Sequence, residues 1–152
     1  MYKRILIVIC LLFLAGCRVA PERDTLHITV EQAVVVAGEA HALASEIFGG
    51  AFLLEVEGDE KPAWEDVRAM LSERWADDIL DNSFEDFYNL YLWEWGYEIA
   101  SIFPLQYTEL IVEYNIVEWE DERILLKFVV GLYQIEEIYV ELILEEGRWL
   151  LN

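Results

Sequence analysis

The chain has 152 residues, 30 acidic against 10 basic, for a formal net charge of −20 at neutral pH. That length allows one domain with a sizeable core. The charge excludes a nucleic-acid partner, which needs a basic patch absent from this sequence, and favours a basic protein or cations instead.

Met1-Tyr2-Lys3-Arg4 sets two cations ahead of an unbroken apolar run, Ile5–Ala15. A bilayer span needs about 20 apolar residues, so this run has the length of a secretory signal core instead. It ends Leu14-Ala15-Gly16-Cys17, which resembles the lipobox of bacterial lipoproteins. The resemblance implies cleavage before Cys17, lipidation of Cys17, and residence on the extracytoplasmic face of the cell membrane. The alternative is an ordinary secretory signal. In the lipoprotein reading, residues 1–16 are a signal peptide, 17–24 a short membrane-proximal tether, and 25–152 a single domain. Cys10 leaves with the signal, and no thiol remains for a disulfide, a cysteine nucleophile or a thiolate metal site. Loss of Lys3 and Arg4 takes the net charge from −20 to −22.

Thr29–Gly50 reads as a helix. Thr29 and Gln32 have capping-box spacing, and Gly49-Gly50 supply a stop. Val30, Val34, Ala37, Leu43 or Ala44, and Ile47 form its apolar stripe, with Gly38 as a point of close packing. Ala51–Asp59 reads as a short strand or extended segment turning at Gly58. Lys61–Leu80 reads as a second helix with Pro62 at its first position, and Trp64, Val67, Leu71, Trp75 and Ile79 share one face. A short third helix is expected from Phe84, capped by Ser83 with Asp86 at N3, and ended by Gly96. Residues 97–106 read as irregular, punctuated by Pro104.

From Tyr107 the period changes to two. Tyr107–Trp119 and Arg123–Val130 flank an acidic tip. Ile135–Glu146 and Arg148–Asn152 flank a turn at Gly147. Three or four antiparallel strands follow from this. The fold class is α+β: N-terminal helices packed on one face of a curved C-terminal antiparallel β-meander.

No catalytic residue, metal site or cofactor is assigned from the sequence. His27 and His41 lack a partner at metal spacing. Ser45, Ser72, Ser83 and Ser101 lie in no nucleophile elbow, and no glycine-rich phosphate loop exists. Glu113, Glu118 and Asp86 are the carboxylates with apolar neighbours that could be desolvated for acid–base work. Glu118, Glu120, Asp121 and Glu122 form the densest oxygen cluster, without the spacing of a calcium loop. Trp93, Trp95 and Tyr97 close an aromatic-rich stretch and could line a groove or a partner surface. These seven residues are the candidate binding residues.

The order of helices and strands, with the closing Glu145–Leu151, is similar to domains of the nuclear transport factor 2-like superfamily. That resemblance implies a conical pocket, placed here near Trp93, Trp95, Tyr97 and Phe103. The segments Ala40–Gly50, Glu65–Leu80 and Gly147–Leu151 also resemble, in order, secreted inhibitors of cell-wall DL-endopeptidases, the IseA-like family. That resemblance implies an acidic body docking on a hydrolase groove. The expected function is a lipid-anchored, non-enzymatic binding protein of the cell envelope, whose partner is a basic envelope protein or cell-wall hydrolase. The alternative is a small-ligand-binding or sensor lipoprotein.

Overall fold

A computed structural model describes residues 28–131 and 134–152. The expected signal peptide and tether, with Cys17, and His27 lie outside the described residues. Among the described residues, no helix is long and apolar enough to cross a membrane.

The fold is α+β, a set of helices against a four-stranded antiparallel sheet. Helix α1 spans Val30–Glu57. Its capping box forms as expected: the Gln32 amide donates to Thr29 Oγ1 at 3.2 Å, and the Thr29 amide donates to Gln32 Oε1 at 2.8 Å. The helix does not stop at Gly49-Gly50. It runs on to Glu57 through most of the expected strand Ala51–Asp59 and ends at Gly58, whose φ of 82° is the left-handed cap. Two glycines cost a helix about 1 kcal/mol each; the burial of Phe48, Ala51 and Phe52 on the continuing face offsets that. The buried stripe is shifted in part from the expected one. Ala37 and Ala44 are buried as expected, joined by Ala33, Ala40, His41 and Phe48, while Val30, Val34, Leu43 and Ile47 are only half-buried. Alanines let the neighbours come close. A Cβ on Gly38 would lie 3.4 Å from the Leu105 carbonyl oxygen.

Helix α2 spans Trp64–Leu71 and buries Trp64, Val67 and Leu71. Pro62 precedes the N-cap Ala63 instead of opening the helix. The expected continuation to Leu80 is broken. Trp75 leaves the helix and bridges to Leu151 in parallel fashion, with the Ala76 amide donating to the Leu151 carbonyl and the Leu151 amide to the Arg74 carbonyl, at 2.8 and 2.9 Å. Sheet-edge hydrogen bonds thus win over helical ones at this point.

Residues 77–102 form a helical run of changing pitch, with wide π-type turns at Leu80–Phe84 and Phe87–Tyr91 and a tight turn at Gly96–Glu98. Ser83 lies inside this run and is not a cap, and Gly96 does not end it. Wide turns of this kind re-aim bulky side chains; here Phe84, Tyr88 and Leu92 point into the core.

The strands are β1 (Ile111–Glu120), β2 (Arg123–Gly131), β3 (Ile135–Glu145) and β4 (Arg148–Leu151), paired in that order. On β2, Ile124, Leu126, Phe128 and Val130 are buried in strict alternation. Their cross-strand partners on β3 include Val140 and Leu142. Helix α1 packs against β3 and β4, and the partners of the β2 core residues on edge strand β1, Tyr114 and Trp119, stay half-exposed. Two bulges interrupt β1 between Ile111 and Glu113 and between Ile116 and Glu118, which discourages edge-to-edge pairing.

Candidate functional site

The aromatic group is assembled on Phe52. Gly96 has no side chain, so the Phe52 ring lies against its backbone, where a Cβ would come within 2.0 Å of Phe52 Cδ2. Phe52 then supports two rings, Tyr97 edge-on at 4.6 Å and Trp93 tilted at 6.3 Å. Trp93 is 63% exposed, Trp95 48% and Tyr97 78%. Leu53 and Val56 of α1 and Leu90 and Tyr91 of the helical run are exposed as well. Isolated exposed apolar residues are ordinary, but a set of large aromatics held on one buried ring is the kind of feature that protein interfaces use.

Phe103 does not join this group. It is 3% exposed and packs in the interior, stacked on Phe48 at 5.7 Å and edge-on to Phe84 at 5.7 Å. The pocket expected among Trp93, Trp95, Tyr97 and Phe103 is therefore corrected: three of these residues lie on the surface and the fourth fills the core.

The acidic group sits at the β1–β2 hairpin, with Asp121 and Glu122 forming its turn. Glu118 and Glu120 are not free carboxylates. Arg123 stands between them, 3.3 Å from Glu118 and 3.9 Å from Glu120, and also bonds Glu141 across the sheet. The Arg123 guanidinium and the Asn152 amide hold the Glu141 carboxyl below its ordinary range. Lys127 does the same for Glu137. The outer face of the sheet is a ladder of paired charges, and Trp93, Trp95 and Tyr97 lie on another element. Glu113, Glu118 and Asp86, expected to be desolvated, are all exposed, which removes the reason to assign them acid–base work. Among the described residues, no group of three or more His, Cys, Asp and Glu is placed to hold a metal ion.

Two features escaped the sequence reading. His41 is 5% exposed, with Trp75 at 5.7 Å and Phe103 edge-on at 5.8 Å. Its Nδ1 has no hydrogen-bond partner. Burial pushes its pKa down to about 4, partly opposed by the Phe103 backbone, so it is a neutral core ring at pH 7. The second feature is a groove of about 500 Å³ between the end of α2 and the β3–β4 turn, bordered by Arg68, Trp75, Asp77, Glu145, Glu146 and Arg148. Arg68 is held by Asp77 at 2.9 Å and by Asp81 at 2.7 Å. The short sequence Glu145-Glu146-Gly147-Arg148 was the available signal, but half of the wall comes from residues 68–77, distant in the chain.

No family model matches this chain, and neither a curated protein nor a solved structure matches it.

Proposed function

We infer that this chain is a lipid-anchored, extracytoplasmic, non-enzymatic binding protein that docks a basic protein of the cell envelope, most concretely a cell-wall hydrolase. The observation that carries this reading is the exposure of Trp93 and Tyr97 on the Phe52 ring, with Trp95 exposed on the same helical run, on so acidic a body. Exposed aromatics supply the apolar anchor of an interface. The excess of carboxylates draws a cationic partner to it and sets which partners are refused. The lipid on Cys17 would hold the body beside the wall.

The test is co-purification with the full chain from envelope extract, at roughly 50 mM and roughly 500 mM salt, which screens surface charge strongly. Recovery of a basic wall hydrolase at low salt, and its loss at high salt or in Trp93→Ala/Tyr97→Ala, supports the reading. Salt-independent recovery, or no hydrolase at either salt, overturns it.

A second reading is a ligand-binding or sensor lipoprotein with a nuclear transport factor 2-like fold. Its support is the length of α1 and its packing on a sequential four-stranded meander. The residues expected to line a pocket are split between surface and core, with Phe103 buried and stacked on Phe48, which is why docking through the surface is preferred.

A further inference from the structure

The groove beside the β3–β4 turn plays no part in docking through the aromatic surface. The described residues contain six basic side chains. Five are in ion pairs: Lys61 with Glu55, Arg68 with Asp77 and Asp81, Arg74 with Glu39, Arg123 with Glu118, and Lys127 with Glu137. Arg148 is the sixth, and it makes no ion pair with any described residue. Carboxylates are not lacking there. Glu145 is its cross-strand partner at the turn, and Glu146 stands on the same wall. Neither of these carboxylates is in an ion pair among the described residues. One cation and two anions are thus left uncompensated around a single concavity. Trp75 and Leu150, both buried, supply its apolar part. Trp75 is fixed there by its indole N–H, which donates to the Ala40 carbonyl at 3.0 Å.

The geometry points to this groove as a binding site for a small dipolar molecule carrying a carboxylate and an ammonium group, a free amino acid or short peptide. The Arg148 guanidinium receives the carboxylate through a two-pronged hydrogen bond. Glu145 and Glu146 receive the ammonium, and the ligand's apolar part lies against Trp75 and Leu150. The volume is within the usual range for small-ligand sites. A purely anionic ligand meets the two carboxylates, and a purely cationic one leaves Arg148 uncompensated.

The test is an NMR titration of the purified full chain with L-alanyl-L-alanine, its N-acetyl form and its C-terminal amide. Saturable amide shifts are expected at residues 74–77 and 145–150. Blocking either end of the dipeptide, or the substitution Arg148→Gln, weakens affinity about tenfold or more, the scale of one charged hydrogen bond. Arg148→Gln leaves the thermal melt unchanged, because that side chain makes no ion pair among the described residues. The proposal is overturned by absence of a saturable shift up to roughly 100 mM dipeptide, the weak end of measurable affinity. Binding that persists in Arg148→Gln, or that both blocked forms match, also overturns it.

Discussion

The Phe52 ring occupies the space where any side chain at position 96 would begin: a Cβ on Gly96 would lie 2.0 Å from Phe52 Cδ2. Gly96 has a φ of −60°, an ordinary helical value, so the requirement for glycine is steric and not conformational. Replacing a helical glycine by alanine normally stabilises by about 1 kcal/mol. Here Gly96→Ala is expected to destabilise by about 2 kcal/mol through overpacking. Urea unfolding reads the sign directly. Adding Phe52→Ala to Gly96→Ala should cost less than the sum of the two single changes, because the clash is removed.

The β3–β4 turn has two residues, with Glu146 at φ 49° and Gly147 at φ 78°. Both positions need the left-handed region, as in the tight hairpin turns that favour Asn-Gly. Glu146→Asn is therefore expected to stabilise by about 0.5–1 kcal/mol, and Gly147→Ala to destabilise by about 1–2 kcal/mol. Thermal or denaturant unfolding of the two variants checks the opposite signs.

His41 gives stability a pH dependence. Its pKa falls from 6.5 in the unfolded chain to about 4 in the fold, so between these values the unfolded state binds the extra proton. Stability is complete above pH 6.5 and declines as pH falls toward 4, by about 3 kcal/mol in all. Between roughly pH 6.5 and 5 the carboxyls with depressed pKa values, Asp81, Glu137 and Glu141, stay ionised. The slope there belongs to His41, and His41→Leu should flatten it. A slope unchanged in His41→Leu would refute this assignment.

Arg123 gathers Glu118, Glu120 and Glu141 on the outer face of the sheet. Arg123→Gln is expected to lower the melting temperature at low salt and by less at high salt, because exposed ion pairs are screened. An equal loss at both salts would mean that the side chain acts by packing.

The alternation of β2 and β3 was legible because one face is buried and the other wet, so the period of two survives in the sequence. The box of Thr29 and Gln32 was legible because both partners lie within one turn. The continuation of α1 past Gly49-Gly50 was not, since the burial of Phe52 depends on Gly96, in another element. Nor was the break at Trp75, whose competing hydrogen bonds come from Leu151. Of the candidate site residues, Trp93, Trp95 and Tyr97 were legible as an aromatic cluster, but Phe103 separates from them only once packed. Glu118 and Glu120 lose their apparent freedom to Arg123, a residue just past the hairpin whose reach the strand pairing sets.

The most direct test of the central claim compares the full chain with Trp93→Ala/Tyr97→Ala in binding a basic cell-wall hydrolase from envelope extract at low and high salt. Hydrolase is expected to bind at low salt to the unmodified chain alone and to be released by added salt, with both chains giving a cooperative unfolding transition. Equal binding by the variant, or binding that salt leaves unchanged, would contradict it.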